Sequence, residues 1–244
     1  MYNIQPIMNY TTEDYYHASY LNVIDMCKDR NYTTKSKSFD DLKMSKAQFS
    51  EKFKQHETNP TILDILPGLI YDENKTPVYV TFIEHSRENK AFIGKIFQGI
   101  YNALKQDFNL TKDAYKNELL ENVHCIILHN QEQKSGPQYH HNLEFFCVKK
   151  FFINVTKHSI VPPHILLTES EKKEIFESKN MSYATCPKIF NNDPVNMYYN
   201  GQTNSVYKII RDSKGFYLRV VTPAPGKVSQ FVNDIHKFQA KTKA

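Results

Sequence analysis

Apolar residues recur at three- and four-residue spacing along Tyr20, Val23, Ile24 and Cys27, which predicts an amphipathic helix over residues 14–30. Asn31 follows at once, where a helix commonly stops on a left-handed residue and Asn substitutes for Gly. A second helix is expected over 45–54, with Ala47, Phe49 and Phe53 as its apolar members. Ser38 and Asp41 are placed to cap a short turn before it. The β-branched and aromatic run 78–83 reads as a strand, and 93–104 returns to helical spacing. Residues 123–128 are continuously apolar, the pattern of a strand covered on both faces. Strand, helix, strand in this order predicts an α/β first domain.

Residues 130–141 are polar and contain Gly136-Pro137, so an exposed loop is expected there. An apolar helical pattern resumes over 143–152, and a strand over 151–155 is expected to open a second domain. Pro162-Pro163 breaks the chain before a helix whose start carries Thr168 and Glu171 at capping-box spacing. Strands over 206–211 and 216–221 should flank a turn at 213–215. The tail places Val228, Phe231, Val232, Ile235 and Phe238 on one helical face, expected to fold back onto protein. The whole reads as α/β (α+β) in two domains, 1–150 and 151–222, with a tail over 223–244.

Composition narrows the class. With 40% hydrophobic and 23% charged residues, the 244-residue chain is not disordered by composition and suits two modest domains. The net charge of +5 is scattered, compatible with nucleic acid nearby without demanding it. Residues 1–20 lack a basic stretch followed by an apolar run, so no signal peptide is expected, and no apolar stretch suits a bilayer. The four cysteines are far apart and form no CxxC pair, which reads as reduced, buried thiols of an intracellular protein.

The candidate chemistry is sparse. His158 and His164 flank two prolines and His140-His141 sit in the loop, without the companions a zinc site needs. His124 and His129 bracket a buried strand and are expected to be satisfied by neighbouring backbone. Glu84 closes a strand, as a nuclease carboxylate would, but His85 and Ser86 follow it rather than a basic partner. Glu171 and Lys173 have that spacing on a capped helix, where a structural role is expected. No Gly-rich phosphate loop is present. The expectation is a protein without catalytic residues, metal or cofactor.

Three ordered segments carry a resemblance. Residues 154–172, with His158, Val161, Pro162, His164 and Thr168, resemble the "H-x-L-V-P-x-H" strand-and-helix start of the C-terminal domain of the fifth common subunit of RNA polymerases. Pro187-Lys188-Ile189 followed by Asp193-Pro194-Val195 and Tyr198 resembles that family's "P-K/R-I-x-x-x-D-P-V-x-x-Y" segment. Residues 206–213, with Lys208 and Arg211, resemble "V-V-K-I-I-R-P-S". The archaeal member of this family, which consists of the C-terminal domain alone, is similar too. Met26 to Tyr32 resembles the "L-C-x-D-R-G-Y" of the eukaryotic jaw domain, with Asn31 for its Gly.

The resemblance implies a non-catalytic polymerase subunit that docks on the largest subunit, near other small subunits, through residues 151–222. The jaw over 1–150 would then reach downstream double-stranded DNA without reading sequence. Lys134, Gly136, Pro137 and Gln138 are the candidate phosphate contacts, against an ordinary surface turn. His158, Val161, Pro162, His164, Thr168, Pro187, Asp193, Pro194, Val195, Lys208 and Arg211 are expected to serve the fold and assembly, with Pro194 as a kink and Lys208 and Arg211 alternating with Ile209 and Ile210 across a half-buried strand. Asn204 stands where the family has Gly, a position that Asn fills at positive φ. The family's final motif is compressed around Arg219, and the tail has no counterpart in typical members. Asn-, Lys- and Tyr-rich composition suggests a large DNA virus or an AT-rich protist, hence a nuclear location if cellular and virion or host cell if viral. The rival readings are a metal-dependent nuclease on the jaw fold and a free-standing transcription regulator.

Overall fold

A computed structural model of the chain describes residues 10–34, 38–57, 63–72, 75–83, 123–130, 143–211 and 215–224. Helix α1 spans Thr12–Asp29 and opens on a reciprocal cap: Asp14 N–H donates to Thr11 Oγ1, and the Asp14 carboxylate accepts from the Thr11 N–H and hydroxyl. It ends as the sequence predicts, with Asn31 left-handed at φ 56°. Ser38 and Asp41 form a second reciprocal cap, also as expected. Helix α2 spans Lys46–Glu57.

The first sheet has the order β1-β2-β3-β4-β5, formed by Thr33–Thr34, Leu63–Tyr71, Pro77–Ile83, His124–His129 and Leu143–Cys147. β3, β4 and β5 are mutually parallel, while β1 and β2 pair antiparallel. The buried stripe of α1 (Tyr16, Tyr20, Val23, Ile24, Cys27) packs on Val78, Val80, Phe82, Ile126, Leu128 and Phe146. Burying this apolar surface is what holds helix and sheet together. Tyr79, Thr81 and Cys125 on the other face are buried as well.

Two expectations are corrected here. Residues 143–152 are not one helix: β5 occupies the first half, and only Val148–Phe151 is helical (α3). A five-residue apolar run cannot be told from a helix by its spacing, and pairing with β4 decides the matter. No strand forms over 151–155. The Asn154 carboxamide instead accepts from the Thr156 N–H and hydroxyl, opening a 3-10 turn at Val155–Lys157. β2 escaped the sequence reading because Pro67 and Gly68 interrupt it, and its pairing with β3 shifts register between Asp64 and Ile70. The helix expected over 93–104 and the tail lie outside the described residues.

The second sheet has the order β6-β8-β9-β7, from His164–Leu166, Val206–Ile210, Phe216–Thr222 and Lys188–Phe190. Helix α4 (Glu169–Ser178) starts on the predicted Thr168/Glu171 cap and packs Phe176 against Val206, Leu218 and Val220. Helix α5 (Pro194–Tyr199) lies against the opposite face, with Tyr199 on Ile189, Tyr207, Ile209 and Val221. Pro194 is not a kink: it is the first residue of α5, behind the Asp193 N-cap, where a missing N–H costs nothing. The turn between β8 and β9 carries Gly215 at φ 93°, and Asn204 stands at φ 72° as expected. The molecule is thus a mixed α/β protein with two mixed sheets.

Candidate functional site

Among the described residues, a buried ion pair lies where the two sheets meet. Arg30, one residue past α1, has a side chain only 3% exposed and forms a two-pronged ion pair with Glu144 of β5, both bonds 2.7 Å. Its remaining N–H groups donate to the carbonyls of Tyr198 (2.7 Å) and Met197 (2.8 Å) and to the Tyr32 hydroxyl (3.3 Å). All five donors of the guanidinium are therefore used. The two carbonyls belong to the last turn of α5, where helical C=O groups lack internal partners and the helix dipole favours a cation. His124 completes the cluster, with Nε2 at 2.6 Å from Glu144 and Nδ1 at 3.3 Å from the Tyr32 hydroxyl. Its partners are side chains, not the neighbouring backbone expected from the sequence.

Electrostatics follow from that packing. Burial pushes the Glu144 carboxyl up, but the Arg30 charge and hydrogen bonds from His124 and Arg30 outweigh it and bring it down to about 2. Beside it, the Tyr198 hydroxyl donates to Asp29 at 2.6 Å and accepts from Asn154 at 3.2 Å. Ser19 donates to the Val148 carbonyl and Asn22 to the Phe151 carbonyl, fixing α1 onto α3. A cluster this enclosed, with every Arg30 donor taken, has the build of a structural joint and offers no group to a substrate.

The residues picked from sequence are spread over the second sheet and the starts of α4 and α5, and the contacts they make are within the chain. The His158 ring accepts from the Ile160 N–H, and the His158 carbonyl from the Val161 N–H. His164 Nδ1 pairs with the Pro162 carbonyl at 2.7 Å, and its half-buried ring meets Tyr207 edge-on. Burial lowers the His164 pKa, aided by Arg219 and Arg211 and opposed by the Pro162 carbonyl and Asp193. The Pro187 carbonyl receives the Val220 N–H, and Val195, within α5, is buried. Lys208 lies 4.8 Å from the Phe216 ring and Arg211 lies 5.4 Å from that of Tyr217. Around them Ile160 (83% exposed), Tyr217 (53%), Ile165, Leu166 and Ile210 stay open to solvent. Lys134, Gly136, Pro137 and Gln138 lie outside the described residues.

Sequence reasoning assigned no role to Arg30 or Glu144. Arg30 sits in a segment already singled out, and Glu144 is the lone acid in an apolar run. A charge in such a run asks for a buried partner, and that was the available signal.

Comparison with known proteins follows the same division. Residues 153–221 match the family described as RNA polymerase Rpb5, C-terminal domain. Over 72 residues the chain is 42% identical to the DNA-directed RNA polymerases I, II, and III subunit rpabc1 of Dictyostelium discoideum, covering 30% of this chain and 36% of that relative. It is 26% identical over 196 residues to subunit RPABC1 of Caenorhabditis elegans, covering 79% of this chain and 86% of the relative. With the DNA-directed RNA polymerases IV and V subunit 5B of Arabidopsis thaliana it shares 22% over 197 residues, 80% and 82% of the two chains. The second sheet and the helices on it lie inside the segment that matches the Rpb5 C-terminal domain, and the longer alignments extend the likeness to about four fifths of the chain at 22–26% identity.

Proposed function

We propose that this chain is a non-catalytic subunit of a multisubunit DNA-directed RNA polymerase, docked on the largest subunit through residues 151–222 while residues 1–150 form part of the downstream-DNA jaw. The observation that carries this reading is the match of residues 153–221 to the Rpb5 C-terminal domain, with relatives aligned over about four fifths of the chain. The Arg30 joint supports it, because a jaw aimed at DNA by a docking module needs a stiff connection between them. Contacts with DNA would be few and directed to phosphates, since a polymerase must pass every sequence. Lys134, Gly136, Pro137 and Gln138 are the proposed contacts. The remaining motif residues, from His158 to Arg211, would serve fold and assembly. Activity then resides in the assembled enzyme, located in the nucleus if the source is cellular and in virion or host cell if it is viral.

Affinity purification of the tagged full-length chain from its native source tests the reading. The two large polymerase subunits should accompany it in equal amounts. A chain recovered without them, or one that cleaves DNA unaided with magnesium, overturns it.

A further inference from the structure

We infer that residues 225–244 fold back as a helix onto a ledge formed by Phe190 and Tyr183 beside β7, closing that edge of the second sheet; the inference does not depend on the subunit reading above.

The ledge follows from register. Lys188 pairs with Val220 and Phe190 with Thr222, while Val220 pairs with Val206 on its other side. Alternation along the strands then puts Val206, Val220, Lys188 and Phe190 on the face that α4 packs on, and Ile189 on the face of α5. α4 does not cover all of its face. Val206 and Val220 are buried, whereas Phe190 in the outermost strand is 47% exposed. Tyr183 continues the apolar floor: its ring stacks on Phe176 of α4 at 4.6 Å and stays 41% exposed. Lys188 links the two, its ammonium donating to the Tyr183 carbonyl. Among the described strands β7 pairs with β9 alone, so its outer side is an edge that proteins commonly cover.

The exit of the chain names the occupant. Thr222 is the cross-strand partner of Phe190, and two residues on, the Ala224 N–H donates to the Asn191 side-chain oxygen at 3.0 Å. The Asn191 N–H in turn donates to the Thr222 carbonyl. These two bonds carry the chain across the end of β7 and release it beside the ledge. Residues 225–244 lie outside the described residues, and their sequence supplies the complement. Val228, Phe231, Val232, Ile235 and Phe238 fall on one helical face, with Gln230, Asn233 and Lys237 opposite. A helix of about a dozen residues is marginal alone in water, so such a stripe needs a surface. Phe231 and Phe238 bring rings to a ledge that is itself aromatic. A segment tethered this closely meets the ledge at an effective concentration on the order of millimolar, which favours it over a second copy of the chain.

Hydrogen exchange on the purified full-length chain tests this, comparing wild type with Phe190→Asp and Phe231→Asp. In wild type the amides of 229–238 should exchange at least about tenfold more slowly than in an unstructured chain. Phe190→Asp should abolish that protection while β8 and β9 keep theirs. Phe231→Asp, which touches neither described sheet, should abolish it too and speed exchange at Lys188–Phe190, so the test stands even where Phe190→Asp unfolds. Unprotected tail amides in wild type overturn the inference. So does unchanged exchange at Lys188–Phe190 in Phe231→Asp, or tail protection that survives Phe190→Asp in a folded sheet, either of which seats the helix elsewhere. Protection found only in a dimer by light scattering overturns it as well, because the occupant is then a second copy. None of these outcomes bears on whether the large polymerase subunits accompany the chain, so the two readings fail separately.

Discussion

The Arg30 guanidinium reaches from the end of α1 to the Tyr198 carbonyl at the end of α5, 168 residues away in the chain, with Nε donating at 2.7 Å. Through Glu144 the same group holds the edge of the first sheet. One side chain thus ties together a helix, a strand and a second helix that belong to different sheets.

Replacing Arg30 with Met should destabilise the protein by about 3–5 kcal/mol, because it leaves the Glu144 charge buried without its partner. Arg30→Lys should recover little, since an ammonium cannot make the two-pronged pair and reach both carbonyls. Urea midpoints read both effects, and a wild-type midpoint for Arg30→Met would refute the assignment.

Acid should weaken this joint in a defined window. The Glu144 pKa is depressed on folding from an ordinary 4.5 to about 2, so the unfolded state takes up the proton first. Its contribution is fully present above about pH 4.5 and is lost as pH falls towards 2. Stability of Glu144→Gln should be lower than wild type at pH 7, and its pH dependence between about 4.5 and 2 should be flatter. Parallel curves for the two proteins would exclude Glu144 as the source.

Gly201→Ala should destabilise by about 1–3 kcal/mol, the usual cost of overpacking. A Cβ there would collide with the Asn196 carboxamide oxygen and the Tyr207 hydroxyl, which bond each other at 2.9 Å. A thermal melt suffices, and an unchanged melting temperature would show that the pair can yield.

Lys134→Ala should weaken retention of downstream DNA by the assembled polymerase a few-fold at low salt, and less as salt rises and screens the wild-type contact. Complex stability that is identical for both proteins at every salt concentration would remove Lys134 from the DNA path.

Local signals were readable from the chain and long-range ones were not. The α1 stripe, the left-handed Asn31 and the Thr168/Glu171 cap each depend on residues within a few positions of one another. β5 was misread because its period competes with a helical one over only five residues. Arg30 and Glu144 meet across 114 residues, a pairing that exists only once β5 has docked beside β4. The end of the second sheet was legible as a motif, whereas its openness depends on how far α5 extends over it.

Because Arg30 grips α5 by main-chain oxygens, the Met197 side chain takes no part in its bond, whereas Tyr198 is fixed separately by its buried ring and its hydroxyl bonds to Asp29 and Asn154. Met197 could become Leu or Gln without moving the oxygen that Arg30 reads. Drift at position 197 therefore leaves the Arg30 grip intact, whereas a change in the backbone path of the helix, such as an inserted residue or a proline, would move the oxygens that Arg30 reads.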